Sequence, residues 1–69
     1  MNYLVIIEGS GKSFPAYSPD LPGCIAAGES PEEVEHLMRQ AIPLHIESLR
    51  AHGEPVPQPR SSVRYVSVG

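Results

Sequence analysis

The strongest local signal in the chain is a helix start near its middle, the run Ser-Pro-Glu-Glu at residues 30–33. Ser30 can accept hydrogen bonds from the first N–H groups of a helix, proline suits the first helical position, and Glu33 completes a capping box. Apolar residues then recur at three- and four-residue steps, which indicates a helix with one apolar stripe. We therefore predict one helix that runs to about His52, with Gly53 as its C′ residue.

A proline inside this segment is the main objection to a single helix. Pro43 removes one helical hydrogen bond, to the carbonyl of Arg39, and favours a bend. It falls opposite the apolar stripe on a helical wheel, so water can reach the freed carbonyl. We therefore expect one bent helix. The stripe consists of Val34, Met38, Ala41, His45, Leu49 and His52, and is widened by Leu37, Ile42 and Ile46.

Four other segments have the alternation or the β-branched composition of strands. These are Tyr3–Ile7, Ser13–Ser18, Cys24–Ala27 and Ser62–Val68. Pro15 lacks a ladder donor, so the second strand is expected at an edge or with a bulge. Residues 9–12, which include Ser10, read as a turn. Residues 54–59 alternate proline and predict an extended connector, a commoner role than that of an SH3-type ligand.

The predicted order is β-β-β-α-β, a single α+β domain over residues 1–69. One helix can cover only one face of a sheet, whereas the first strand is apolar on both sides. An uncovered apolar face usually marks an interface, so we expect a homo-oligomer, a dimer or a tetramer, or a bound partner. Six residues are the candidates for that oligomer or partner face: Tyr3, Val5, Ile7, Tyr17, Ile25 and Tyr65.

Charge and composition narrow the possible partners and the location. The net charge is −3, with 5 lysines and arginines, and no clustered basic stripe is present, which argues against direct nucleic-acid binding. The first apolar run stops at Glu8, too short to span a membrane, and lacks the features of a signal peptide. The one cysteine fits a reducing compartment, so the cytoplasm is the expected location.

The sequence contains only weak signals for a catalytic or ligand-binding site. Gly11-Lys12-Ser13 resembles the end of a phosphate-binding loop, but Ile6 stands where that loop needs glycine. The three histidines and Cys24 lack the close spacing of metal ligands. Cys24 with His45 is the one conceivable nucleophilic pair, and nothing indicates a lowered thiol pKa. We therefore predict no metal, no cofactor and no enzymatic activity.

Two motifs at a fixed distance carry a family resemblance. The run from Tyr17 to Cys24 contains Pro-Asp-Leu-Pro-Gly-Cys, and residues 28–33 read Gly-Glu-Ser-Pro-Glu-Glu. Together with Ala41-Ile42 and the exit at residues 53–59, they resemble the HicB-like antitoxin family, whose small stand-alone members were long grouped as uncharacterised proteins. The resemblance covers Tyr3 to about Tyr65.

The resemblance implies a partial RNase H-like fold and an antitoxin that blocks a small basic mRNA-cleaving toxin. Larger family members often add a C-terminal DNA-binding segment, and we expect none in this chain. By position, the family turn is carried by Pro19, Asp20, Leu21, Pro22, Gly23 and Gly28. These residues either shape the turn or contact a partner.

Two rival functions remain open at this stage. One is an orphan, self-assembling binding module without a toxin. The other is a small hydrolase that uses Cys24 or the histidines, which thiol-reactivity measurements would reveal.

Overall fold

The computed structural model describes residues 1–9 and 11–69, so Ser10 of the predicted turn lies outside the described residues. Within the described residues, three strands, β1 (Ile6–Ile7), β2 (Phe14–Tyr17) and β3 (Ile25–Gly28), precede one helix, α1 (Pro31–Ala51). The predicted α+β class with a single helix is confirmed. The predicted strands are shortened at one or both ends, or shifted by one residue in β3, because only part of each run finds a ladder partner.

The three strands form an antiparallel sheet in the order β1-β2-β3. Ile7 pairs with Ala16 and Ala16 pairs with Ala26, whereas Tyr17 lies between Ile6 and Ile25. Directly paired residues in an antiparallel sheet share a face. Ala16 is only 2% exposed, so its row faces the core and the Tyr17 row faces away from it.

The prediction that Pro15 places its strand at an edge is wrong, because β2 is the central strand. The Pro15 carbonyl accepts a hydrogen bond from the N–H of Glu8 at 2.9 Å. The N and O of one strand residue point to the same side, so the missing donor also faces Glu8. Glu8 lies just past the end of β1. The proline therefore removes a bond only where that ladder already stops.

Both ends of α1 are capped by local hydrogen bonds. Ser30 Oγ accepts from the N–H of Glu33 at 3.0 Å, and Glu33 Oε1 accepts from the N–H of Glu29 at 3.0 Å. At the other end, the N–H of Glu54 donates to the Leu49 carbonyl and that of Gly53 to the Arg50 carbonyl. This pair of bonds is the Schellman motif. Together the caps explain why α1 has the predicted bounds within one residue.

The core lies between α1 and the sheet. Val34 and Met38 are the buried residues of the helix, and the helix continues through Pro43, which is exposed. His52 caps the helix and is exposed, so its expected place in the apolar stripe is wrong. The buried core consists of Ala16, Leu21, Cys24, Val34 and Met38.

The fourth predicted strand, Ser62–Val68, is not formed, and residues 61–69 are exposed. The chain order in the described residues is therefore β-β-β-α and not β-β-β-α-β. A β-strand needs a neighbouring strand to accept and donate its backbone hydrogen bonds. Alternating valines supply a suitable sequence for residues 62–68, but no described strand pairs with them.

Candidate partner-binding surface

The loop between β2 and β3 consists of two successive β-turns. The N–H of Leu21 donates to the Ser18 carbonyl at 3.1 Å, and the N–H of Cys24 donates to the Leu21 carbonyl at 3.0 Å. The N–H of Ser18 closes the loop by donating to the Cys24 carbonyl at 3.3 Å. In the second turn Pro22 stands at i+1 and Gly23 at i+2 with φ of +85°, the arrangement of a type II turn.

The residues of this turn divide into buried and exposed ones. Leu21 is fully buried and Asp20 is 7% exposed, whereas Pro19, Pro22 and Gly23 are exposed. The leucine fixes the turn to the core by burial of its side chain. The exposed residues shape the loop and also lie where a partner can reach them.

Asp20 binds the backbone that immediately precedes the C-terminal segment, residues 62–68. Its Oδ2 accepts hydrogen bonds from the N–H groups of Arg60 and Ser61, both at 3.0 Å, and its Oδ1 accepts from Ser61 Oγ at 2.8 Å. The bonds from the two N–H groups lower the pKa of Asp20, because they favour the ionised carboxylate. No local sequence signal indicates that the partners of Asp20 lie 40 residues further along the chain.

Gly28 brings the end of β3 close to the start of α1. A Cβ atom at this position would lie 3.0 Å from both the backbone N of Val34 and Oε1 of Glu33. The absence of a side chain therefore allows the strand to pass against the capped first turn of the helix. Gly28, one of the residues assigned to the family turn, thus lies at a helix–strand contact.

The sheet face away from α1 carries exposed apolar side chains. We call it the open face and define it by Ile6, Pro15, Tyr17, Ile25 and Ala27, which share it through the strand register. Ile25 is 71% exposed and Tyr17 is 38% exposed. Isolated exposed apolar residues are ordinary, but a row across three strands is a candidate interface.

The six residues predicted to form one oligomer or partner face do not share a surface. Tyr3, Val5 and Ile7 pack against the core on the helix side of the sheet. Tyr17 and Ile25 lie on the open face. Tyr65 is 96% exposed in the C-terminal segment.

The reason lies in the first strand, which is apolar on both sides. The sequence does not say which side meets the helix, and the prediction took the side that does. The register shows that Ile6 is the β1 residue on the open face. A role of the six residues in partner contact stays a prediction.

A groove opens between β1 and α1. Its volume is about 310 Å³, and its lining consists of Tyr3, Val5, Ile7, Glu35, Met38, Arg39 and Ile42. The helix packs more closely on β2 and β3 than on β1, which leaves this side of the core less covered. An exposed ion pair from Arg39 Nη2 to Glu35 Oε2, 2.6 Å long, lies on its helix side.

The described residues offer little for catalysis. Cys24 is a buried free thiol, and desolvation raises its pKa, so the reactive thiolate is disfavoured. Gly11 and Lys12 lead into a strand and not into the helix that a phosphate-binding loop requires. Among residues 1–9 and 11–69, no group of three His, Cys, Asp or Glu residues could hold a metal ion.

The charges are unevenly distributed along the chain. Residues 1–59 carry three basic and eight acidic side chains, a net charge of −5, whereas residues 60–69 carry Arg60 and Arg64 and no acid. Exposed acidic side chains cluster around the start of α1, at Glu29, Glu32, Glu33 and Glu35. No helix in the described part of the chain is long and apolar enough to cross a bilayer.

Relatives with curated names match almost the whole chain. A UPF0150 protein of Synechocystis sp. is 37% identical over 68 residues, which cover 97% of this chain and 86% of that protein. A UPF0150 protein of Thermoplasma acidophilum is 36% identical over 59 residues, 84% of this chain and 86% of its own length. An uncharacterised 14.9 kDa protein of Haemophilus phage HP1 is 30% identical over 67 residues, but the match covers 50% of it.

No solved structure matches the chain. The model of one protein family matches residues 3–67, and its description is HicB-like antitoxin of bacterial toxin–antitoxin system. The match includes the β2–β3 turn, both ends of α1 and the C-terminal segment almost to its end. The resemblance seen in the sequence is therefore confirmed: the chain belongs to the HicB-like antitoxin family.

Proposed function

We propose that this protein acts as an antitoxin that binds a small basic mRNA-cleaving toxin and blocks it by direct protein contact. The observation that carries the proposal is the family match over residues 3–67. The toxin's chemistry comes from the family resemblance. The protein itself needs no catalytic group for this role, and its thiol is buried.

The open face is the surface that we assign to the toxin. Ile25 and Tyr17 are paired neighbours on it, and together they present a branched aliphatic and an aromatic side chain to solvent. Apolar and aromatic anchors of this kind supply most of the affinity in protein interfaces. Ile25 is the more exposed of the two, so its burial by a partner would remove the larger fraction of its surface from water.

The acidic side chains supply the second part of the interaction. Glu29 follows β3 directly, and Glu32 lies in the first turn of α1. Acidic groups near an interface accelerate the approach of a basic partner and select against an acidic one. Because these groups are exposed, their contribution is to the association rate and will weaken as salt is added.

Three finer features belong to the same proposal. The protein forms a homo-oligomer, it acts in the cytoplasm, and its sheet is related to the partial RNase H-like fold of the family. The three-stranded sheet with one helix supports the last feature only at the level of the α+β class.

The test is to express the chain with a small basic protein encoded beside it, and to measure complex formation and relief of growth arrest. Ile25→Lys and Leu44→Lys form a matched pair. Both variants replace an exposed apolar residue by lysine: Ile25 is 71% exposed and Leu44 is 65% exposed. Leu44 serves as the control because it lies on α1 and not on the open face. We expect Ile25→Lys to raise the Kd at least about tenfold and Leu44→Lys to change it by less than about threefold.

The outcomes separate the proposal from its rivals. An unchanged Kd for Ile25→Lys would place the toxin elsewhere than on the open face, and an equal rise for both variants would mean that the loss is not specific to that face. Failure to bind any small basic neighbour, with a stable oligomer of the chain alone, would replace the antitoxin role by that of an orphan self-assembling module.

A further inference from the structure

The C-terminal segment, residues 62–68, has the sequence pattern of a β-strand but does not form one. Val63 and Tyr65 alternate with Arg64, Val66 and Val68, and the four apolar residues are between 48% and 96% exposed. The Cα radius of gyration is 13.5 Å, whereas a compact domain of this length has about 11 Å. The segment therefore extends from the body with exposed apolar side chains. Its backbone makes no strand pairing, and its Val63 carbonyl accepts a hydrogen bond from the neighbouring Arg64 Nη1 at 3.0 Å.

A complementary edge exists on the same molecule. The N–H of Glu8 bonds to the Pro15 carbonyl, so Glu8 belongs to a hydrogen-bonded pair of the β1–β2 ladder. Backbone direction alternates along a strand, so the N–H and C=O groups of Ile7 point to the opposite side, the outer edge of β1. Continued alternation places those of Val5 there too. No described strand pairs with this edge.

Hydrogen bonds fix the chain at two points before residues 62–68 begin. Tyr3 Oη donates to the Pro57 carbonyl at 2.5 Å, and Asp20 then binds the N–H groups of Arg60 and Ser61. The connector thus passes from the β1 side of the sheet toward the loop between β2 and β3. The last fixed point before residues 62–68 is therefore the loop after β2, the strand that pairs with the inner edge of β1.

From these observations we propose that residues 62–68 of one copy pair with the outer edge of β1 in a second copy, and that the exchange is reciprocal. The product is a symmetric, strand-exchanged dimer with four strands in each sheet. Strand addition of this kind satisfies the backbone groups of both segments at once. A reciprocal arrangement is the closed, two-fold contact that most homo-oligomers use.

The groove between β1 and α1 fits such a fourth strand. A strand beside β1 presents alternate side chains to the two faces of the sheet. One set would cover the groove lined by Val5, Ile7 and Ile42, and the other would extend the open face beside Ile6. Because residues 62–68 carry apolar side chains in both sets, both can be buried by the same pairing.

Charge supports a second copy as the occupant. Residues 62–68 carry Arg64 and no acidic residue, a net charge of +1, and residues 1–59 have −5. Glu35 lies at the groove that the incoming strand would cover. The charges therefore favour contact between the C-terminal segment of one copy and the body of another.

The inference rests on the homo-oligomer part of the proposed function and does not depend on a toxin. The test uses the full chain at about 100 µM, a concentration that is high enough to populate a dimer with a micromolar dissociation constant. Light scattering gives the mass, and hydrogen exchange gives the protection of individual amides. Val66→Pro removes an N–H and breaks strand geometry, whereas Val66→Thr keeps both the donor and a β-branched side chain. Val66 is 81% exposed in the single chain, so neither change should disturb the body.

We expect a dimer for the natural chain and for Val66→Thr, with the amides of Val5, Ile7 and residues 62–68 protected. Val66→Pro should raise the dimer dissociation constant at least about tenfold and remove protection from Val5 and Ile7, with the helix content unchanged. A monomer with unprotected residues 62–68 would overturn the inference, and so would a monomer in which they are protected by folding back. Protection that arises only when a toxin is added would overturn it as well, while the antitoxin proposal would stand.

Discussion

The β2–β3 turn and the C-terminal segment are opposites in sequence and in structure. Residues 18–24 contain two prolines and a glycine, poor strand and helix formers, yet two β-turns and a buried leucine fix them. Residues 62–68 are rich in valine, a strong strand former, yet they have no assigned structure and are exposed. A segment of this chain adopts defined structure where its backbone groups are hydrogen-bonded and its apolar side chains are buried. A high strand propensity alone is not sufficient.

The difference is clearest at the one place where the two regions meet. Asp20 belongs to the turn, and its carboxylate is the last fixed point of the chain before the C-terminal segment leaves the body. At Arg60 and Ser61 the backbone still has a partner within the molecule, the Asp20 carboxylate. Beyond Ser61 the apolar side chains are between 48% and 96% exposed, so a second copy could bury apolar surface that the chain's own fold leaves in water.

The largest effect should come from loss of the buried leucine in the turn. Leu21 is 0% exposed, so Leu21→Ala removes packed methyl groups and leaves a cavity. We expect it to lower the free energy of unfolding by about 2–5 kcal/mol, measured by urea denaturation. The matched control is Leu44→Ala, because Leu44 is 65% exposed and should change stability by less than about 0.5 kcal/mol. Similar losses in both variants would mean that the turn is not anchored through Leu21.

A smaller loss is expected from the backbone of the same turn. Gly23 has φ of +85°, a conformation that costs an L-residue about 1–2 kcal/mol. Gly23→Ala also restricts the unfolded chain, which offsets part of that cost, so we expect a net loss of about 1 kcal/mol. Gly69→Ala, at an exposed end with no nearby atoms, should be neutral in the same denaturation experiment. A neutral Gly23→Ala would exclude the type II turn.

Asp20→Asn should have a more local effect, on the link between the two regions. Its pKa is lowered in the folded protein, so the carboxylate stabilises the fold at pH values above the ordinary pKa of 3.8. That contribution is lost as the pH falls through the lower folded value. Near neutral pH the N–H groups of Arg60 and Ser61 should exchange with solvent faster in Asp20→Asn than in the natural chain. The two proteins should become alike in acid, and a difference that grows in acid would contradict this role for Asp20.

Much of the fold follows from local signals in the sequence. The bounds of α1 depend on Ser30, Glu33 and Gly53, which act within a few residues of their own positions. The β2–β3 turn likewise depends on proline and glycine at set places. Such features are predictable because their causes and effects are close together in the chain.

The features that the sequence did not predict depend on residues that are far apart in the chain. The face of β1 that meets the helix depends on the register Ile7 to Ala16, and the role of Asp20 depends on amides far along the chain. Residues 62–68 have the pattern of a strand, but no described strand of their own molecule pairs with them. No local pattern encodes these long-range partners. The sequence could therefore indicate an apolar sheet face and name Tyr17 and Ile25 on it, but it could not choose between the two sides of β1.

The smallest change in the free energy of unfolding should come from a substitution in the C-terminal segment. It tests whether this segment contributes to the stability of its own chain. Val66→Thr keeps the β-branched shape but removes apolar surface from a residue that is 81% exposed. In a dilute, monomeric sample we expect the free energy of unfolding to change by less than about 0.5 kcal/mol, since Val66 has no packing to lose. Chemical denaturation at several protein concentrations is the measurement, because a dimer makes the midpoint depend on concentration and a monomer does not. A loss above about 1 kcal/mol in dilute samples would show that Val66 is buried within its own chain, and the contrast between turn and C-terminal segment would fail.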